Sequence, residues 1–314
     1  MSKLLDSIDQ RTKLVGENRL ELLMFRLRGR QLFAINVFKV QEVVKLPPLR
    51  AVPHSHPHVR GVAWLRGQTV PVIDLSAAIG SGALTDTTNA NLIVAEYNRS
   101  VQAFLIGGVD RIINLNWDVI LPPPKGTGRS HFLTAITKVE DQLVEILDVE
   151  RVLADIIPYN TRVSEEVLDA DLASEARKRK LKILLADDSP TAVKQVQETL
   201  ANIGVEVLFV QDGLQALKQL QHWARDGRKL SDEILMLITD AEMPEMDGYR
   251  LTAEVRKDPA LKDLYVVLHT SLSGSFNKAM VEKVGCNDFL SKFQPDELAE
   301  VVQKRLRQVL GAGK

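Results

Sequence analysis

The chain has 314 residues, enough for about two domains on the usual prior of roughly 150 residues each. Lys and Arg number 40 against 41 Asp and Glu, and the net charge of −1 excludes a general attraction to nucleic acid or anionic lipid. Cys286 is the only cysteine, which excludes an intramolecular disulfide, and no apolar run nears the roughly 20 residues that span a bilayer.

Charges interrupt "MSKLLDSIDQRTKLVGENRLE" too often for a signal peptide, so a soluble cytoplasmic protein without membrane insertion is expected. Leu4, Leu5 and Ile8, extended by Thr12 and Val15, stand at helical spacing and predict a short amphipathic helix over residues 1–17. From about residue 20 the texture changes to short runs rich in β-branched and aromatic residues. "ELLMFRLRGRQLFAINVFKVQEVV" reads as strands broken by the turn at Arg28-Gly29-Arg30-Gln31. "HVRGVAWLRGQTVPVIDLSAAIG" repeats the plan around Arg66-Gly67-Gln68, and later pairs turn at Asn98-Arg99-Ser100 and at Glu140-Asp141. Many short strands with tight turns predict small β-barrels or a sandwich, in a domain over residues 18–160.

Residues 161–179 switch to helical character. Ser164 is the expected N-cap, acids follow it, and a basic cluster closes the segment, an order that complements the helix dipole. This predicts a helical linker. Residues 180–312 then alternate strand and helix. "KILLADD", "VEVLFVQD", "EILMLITD", "LYVVLHTS" and "CNDFLSK" are apolar strands, each followed by a helical stretch, the fourth of these being "GSFNKAMVEKVG". Five such units predict a doubly wound, flavodoxin-like parallel sheet, in which ligands bind at the carboxyl ends of the strands.

Those ends carry polar groups: Asp187 and Asp188 on the first strand, Asp240 on the third, Thr270 on the fourth, Lys292 on the fifth. A parallel sheet gathers them on one edge. Three carboxylates in one crevice repel each other, and a hard cation such as Mg²⁺ relieves this. A carboxylate beside Mg²⁺ can accept a phosphoryl group, with a lysine and a hydroxyl to bind the transferred charge. Each residue also has a structural reading. Asp188 and Ser189 would cap the next helix, Asp240 would form a turn before Met243-Pro244, and Thr270 and Lys292 would be scaffold and surface.

"LLADDSP", "LITDAEMPEMDG", "LHTS" and "FLSKFQP" stand in the order and spacing of response-regulator receiver domains, and residues 180–312 resemble that family throughout. The resemblance implies Mg²⁺ held by Asp187, Asp188, Asp240 and the backbone carbonyl of Glu242, with Asp240 as phosphoacceptor. It implies that Thr270 and Lys292 bind the phosphoryl group and that Phe289 is an aromatic switch, packed otherwise as an ordinary core ring. Phe293 stands where the family commonly has Pro. Glu242 and Leu272 occupy positions that in the family influence dephosphorylation.

In the N-terminal part, His54, His56 and His58 alternate in a Pro-rich loop without a cysteine or nearby acid to complete a metal set. "FRLRGRQLFAINVFKVQEVV", "VRGVAWLRGQTVPVIDL" and "IGGVDRIINL" resemble the CheW family of chemotaxis coupling proteins, over roughly residues 18–157. The resemblance implies a double five-stranded barrel that binds chemoreceptors and the histidine kinase CheA. Val40, Glu42, Gly61, Arg66 and Gly67 align with its characteristic positions. Arg66 is read either as a charged partner contact or as a structural ion pair, Val40 as contact or packing, Gly61 and Gly67 as contact or turn. Trp64 would be an interface residue if exposed and core if buried.

A CheW-like domain followed by a receiver resembles the CheV family. That implies a non-enzymatic adaptor between chemoreceptors and CheA, modulated by phosphorylation of Asp240 and recruited to receptor arrays at the membrane. The alternatives are a phosphate sink for CheA with a constitutive coupling domain, and a phosphohydrolase of the haloacid dehalogenase type. The latter wants a second Asp where Glu242 stands.

Overall fold

The computed structural model describes residues 19–97, 100–116, 119–121, 132–157, 162–225, 230–270 and 284–311. The helix expected over residues 1–17, the turn residues Asn98 and Arg99, Leu272 and most of the helix expected after the fourth strand of the sheet lie outside these residues. The chain divides into two compact units, one over Arg19–Pro158 and the other from Tyr159 onward.

The first unit contains β1 (Arg19–Arg26), β2 (Leu32–Asn36), β3 (Glu42–Lys45), β4 (Val59–Leu65), β5 (Gln68–Asp74), α1 (Leu75–Ala78), β6 (Asn91–Tyr97), β7 (Ser100–Ile106), β8 (Gly108–Asn116), β9 (Leu133–Val139), β10 (Gln142–Leu147) and α2 (Val149–Ile156). Among the described residues the strands form two five-stranded sheets, in the orders β8-β1-β2-β10-β9 and β3-β6-β7-β5-β4. Each is closed into a barrel by an isolated antiparallel bridge. Leu121 and Ile136 exchange backbone hydrogen bonds of 2.8 Å, and Arg50 and Val62 exchange bonds of 2.9 and 2.8 Å. Of the two architectures that the turns allowed, barrels or a sandwich, the barrels are present, as the double barrel implied by the resemblance.

Alternation of side chains explains the apolar runs. Leu22, Met24, Ala34, Val144 and Ile146 fill one barrel, while Val70, Val72, Leu92, Val94 and Leu105 fill the other. The opposite faces of the same strands, through Leu23, Phe25, Ile35, Ile73, Ile93 and Phe104, join Val149 and Val152 of α2 in a third cluster. A strand buried on both faces shows no apolar–polar alternation. Each fully buried aliphatic or aromatic side chain contributes about 1.5–3 kcal/mol.

The second unit contains α3 (Ala170–Arg179), β11 (Lys182–Ala186), α4 (Pro190–Leu200), β12 (Glu206–Val210), α5 (Gly213–Arg225), α6 (Leu230–Glu233), β13 (Ile234–Asp240), α7 (Gly248–Lys257), β14 (Val266–Thr270), β15 (Asp288–Ser291) and α8 (Pro295–Gly311). Its sheet is parallel, in the order β12-β11-β13-β14-β15. Ile183, Leu185 and Ile238 pack with α4 and α8 on one face. Leu184, Leu237 and Val266 pack with α5 and α7 on the other, which is the expected doubly wound arrangement.

Ser164 does not cap a helix as expected. It precedes a 3₁₀ turn at Glu165–Val167 without a capping bond, and its hydroxyl lies 2.8 Å from an Asp296 oxygen. Asp169 is the true cap of α3, accepting from Leu172 N–H at 3.0 Å. Both are good cap residues, and the tertiary partner Asp296 engages Ser164 first.

Candidate functional site

The carboxyl edge of the parallel sheet gathers the residues singled out by sequence. Asp240 is the last residue of β13 and Thr270 the last of β14, while Asp187 directly follows β11 and Lys292 directly follows β15. Lys292 N–H donates to the Thr270 carbonyl at 2.9 Å, which ties the ends of β14 and β15. The Lys292 ammonium lies 2.8 Å from Asp240 Oδ2 and 3.0 Å from Asp187 Oδ2. Lys292 is 1% exposed, so this ammonium is removed from water and stands between two carboxylates. The reading of Lys292 as solvated surface is thereby excluded.

Asp187 is fully buried and also accepts the Ser189 N–H at 2.9 Å. Ser189, not Asp188, caps α4 by accepting from Ala192 N–H. That leaves Asp188 half-buried beside Asp187 and Asp240, and the three side chains offer oxygens all within 4.8 Å of one another. Three carboxylates against one ammonium leave a local excess of negative charge. An oxygen-only donor set of this kind suits a hard divalent cation.

Around this edge, Thr270 is buried and Glu242 half-buried. Phe289 faces Leu268 in the β14–β15 register and packs with Ala241, Leu268 and Tyr249. Burial, followed by the charge of Glu242, pushes the Tyr249 phenol well above its ordinary range. Asp247 caps α7 by accepting from Arg250 N–H at 2.7 Å, and burial pushes its carboxyl upward. Phe293, where a Pro would be common, adopts φ +62°, a left-handed conformation unusual for a bulky side chain.

In the first unit, Glu42 and Arg66 form a two-pronged pair, Nε–Oε1 at 2.6 Å and Nη2–Oε2 at 2.7 Å. The hydrogen bond from Arg66 holds the Glu42 carboxyl below its ordinary value. Arg66 and Gly67 form the exposed β4–β5 turn with φ of +46° and +83°. Gly61 is not in a turn. It sits in β4 at the barrel-closing bridge, at φ +140°, where a Cβ would collide with the Arg50 carbonyl oxygen. Val40 packs, half-buried, against the cluster between the barrels. Trp64 is 69% exposed, which excludes the core reading. In the His loop, His56 Nδ1 accepts from His58 N–H at 3.3 Å. The aspartate group at the sheet edge is the one cluster of potential metal ligands among the described residues.

Sequence reasoning missed Asp296 and Gln303 as holders of the linker. Gln303 is 2% exposed and lies next to Val302 on the apolar stripe of α8, and that polar intrusion was the available signal.

Residues 21–156 match the CheW-like domain family and residues 183–303 the response regulator receiver domain family. Chemotaxis protein CheV1 of Helicobacter pylori is 30% identical, over 98% of this chain and 99% of its own length. The scaffolding protein TtCheW of Thermoanaerobacter tengcongensis is 26% identical over 41% of this chain and 83% of its own, with a TM-score of 0.38. Chemotaxis protein CheY4 of Vibrio cholerae is 29% identical over 40% of this chain and 97% of its own, with a TM-score of 0.34. No helix among the described residues is long and apolar enough to cross a membrane.

Proposed function

The chain belongs to the CheV family of chemotaxis proteins, and we propose that it is an adaptor switched by phosphorylation of Asp240. Its CheW-like domain couples chemoreceptors to the histidine kinase CheA, at receptor arrays beside the membrane. The kinase then serves as phosphoryl donor to the receiver domain. The observation that carries the switch is the edge cluster, in which Asp240 shares a buried ammonium with Asp187 and has oxygens of Asp187 and Asp188 within 4.8 Å.

In the proposed transfer, a carboxylate oxygen of Asp240 attacks the phosphorus of a phosphohistidine. The P–N bond breaks, its electron pair returns to the imidazole, and an acyl phosphate forms on Asp240. Lys292 Nζ, shared in the resting state between Asp187 and Asp240, donates to the arriving phosphoryl oxygens, and the Thr270 hydroxyl donates from the end of β14. Asp187, Asp188, Asp240 and the Glu242 carbonyl would hold Mg²⁺, which when bound would supply positive charge to neutralise phosphoryl oxygens. Phe289, packed against Leu268 two residues before Thr270 on β14, would respond to a shift of that strand end. On the coupling domain, Val40, Glu42, Gly61, Arg66 and Gly67 are the proposed partner-binding region. Gly61 acts there by closing the barrel, and exposed Trp64 adds apolar contact area.

The test is transfer of labelled phosphate from phosphorylated CheA in Mg²⁺, onto wild type and Asp240→Asn. Label on wild type alone is expected. Label on both, or on neither, overturns the assignment.

A further inference from the structure

The segment joining the two domains is fastened to α8, the helix that begins three residues after Lys292. Ser164 N–H donates to Asp296 Oδ1 at 2.8 Å, and the Ser164 hydroxyl lies 2.8 Å from Asp296 Oδ2. One helical stretch further along, buried Gln303 accepts from Asp169 N–H at 2.9 Å and donates to the Val167 carbonyl at 2.7 Å. Arg307 reaches the Asp169 carboxylate at 3.3 Å. Beneath these bonds Val163, Val167, Leu168 and Leu172 pack on the same apolar cluster as α8. Gly204, at φ +83°, lies so close to Ala173 that a Cβ would collide with the Ala173 carbonyl oxygen. The segment over residues 163–179 is therefore a strap laid on the receiver.

Burial is not uniform along α8. From Leu298 onward the helix is fixed by Leu298, Ala299, Val302 and Leu306, all 1% exposed or less. Residues 293–297, between this fixed body and Lys292, are half-buried. They include Phe293 in its strained left-handed conformation. This stretch joins Lys292 to the fixed body of α8, and within it the Asp296 carboxylate grips Ser164.

We propose that the Ser164–Asp296 contact is a release point: when Lys292 leaves Asp187 for a phosphoryl group on Asp240, the first turn of α8 shifts and the strap loosens over residues 163–168. The body of the strap at α3 stays seated, because Gln303 and Arg307 lie on the fixed part of the helix. The phosphorylation state of the receiver is thereby written into the chain that leads to the coupling domain. This inference rests on Asp240 being the phosphoacceptor.

The test is amide hydrogen exchange on the full chain in Mg²⁺, with and without acetyl phosphate as donor, and with intact mass reporting occupancy of the acyl phosphate. Wild type is expected to show exchange faster by roughly threefold or more over residues 163–168, and unchanged exchange over 170–176. Asp240→Asn is expected to show no change. Asp296→Ala is expected to exchange fast over 163–168 with or without donor, while still accepting phosphate. A phosphorylated wild type whose 163–168 amides are unchanged or slower overturns the release point and leaves the phosphoacceptor assignment standing. Absence of phosphorylation on wild type overturns the phosphoacceptor assignment and this inference with it.

Discussion

Lys292 is buried because two carboxylates meet its ammonium, and neither they nor it could stay charged at this depth alone. Removing one member of a buried ionic group leaves the rest uncompensated, at a cost of roughly 3–5 kcal/mol. Lys292→Ala is therefore expected to lower stability by roughly that amount in chelator, as read by urea denaturation, and by clearly less in millimolar Mg²⁺, because the cation replaces the lost positive charge. Equal losses in both conditions would argue against a cation among Asp187, Asp188 and Asp240. At the exposed Glu42–Arg66 pair the sign of the pH effect follows from the carboxylate. Its folded value is held below the ordinary 4.5, so its contribution is present above that value and fades as pH falls through the depressed one. In Arg66→Gln the Glu42 titration, followed by carboxyl NMR, is expected to move back up. Asp187, Asp188, Asp240, Thr270 and Lys292 were legible as strand-end residues. The cap at Ser189 was legible too, whereas the bond between Ser164 and Asp296 was not, because a serine or an aspartate can cap, turn or reach a distant partner, and only the fold selects among these.

At the scale of elements, the two barrels repeat one plan. The β4–β5 turn at Arg66-Gly67 and the β9–β10 turn at Glu140-Asp141 both have two successive residues at positive φ. Such turns match the twist of hairpin strands. Arg66 pairs with Glu42 on β3, and Glu140 pairs with Arg111 on β8 at 2.8 Å, the same contact with its charges exchanged. Asp74 ends β5 and Asp148 directly follows β10, and each caps the helix after it. These hairpins were visible from their turn residues. The barrel closures were not, because each rests on one bridge formed by a residue outside any strand. Gly61→Ala is expected to cost more than about 1 kcal/mol, since it adds a positive-φ penalty to a backbone collision at the bridge. Denaturation of the full chain followed through the first unit reads that loss. Asp169→Ala is expected to cost about 1 kcal/mol through the lost cap of α3, measured as faster amide exchange at Leu172.

For the whole molecule, the hairpin β1–β2 pairs within the sheet of β8–β10, and β6–β7 within that of β3–β5. The barrel of β3–β7 is thus one continuous stretch, Glu42 to Ile106, whereas the other takes strands from the two ends of the first unit and cannot close until β10 is in place. A ligand that binds only the folded state stabilises the unit holding its site, by about 1.4 kcal/mol at ten times its Kd. Mg²⁺ is accordingly expected to raise the unfolding transition of the second unit and leave that of the first unchanged. Trp223, half-buried on α5, reports the second unit in a variant whose other two tryptophans are replaced by Phe. A shift of the first transition instead would place the cation elsewhere.

The sequence by itself determined the two architectures and which polar residues gather at the sheet edge. Turn residues set the hairpins, apolar runs of strand length set the parallel sheet, and a parallel sheet must bring the ends of its strands to one side. It also supplied the candidates for the coupling surface, but left Arg66, Gly61 and Trp64 with two readings each. Tertiary structure alone supplied their surroundings: Arg66 pairs with Glu42, Gly61 sits at the closing bridge, and the Trp64 ring is exposed. It likewise decided that the linker is a strap on the receiver, because Asp296, Gln303 and Arg307 lie more than a hundred residues from the segment they hold. Local pattern records what a residue can do with its neighbours in the chain. Which distant group satisfies a buried amide, carboxylate or ammonium is settled when the fold removes water from both.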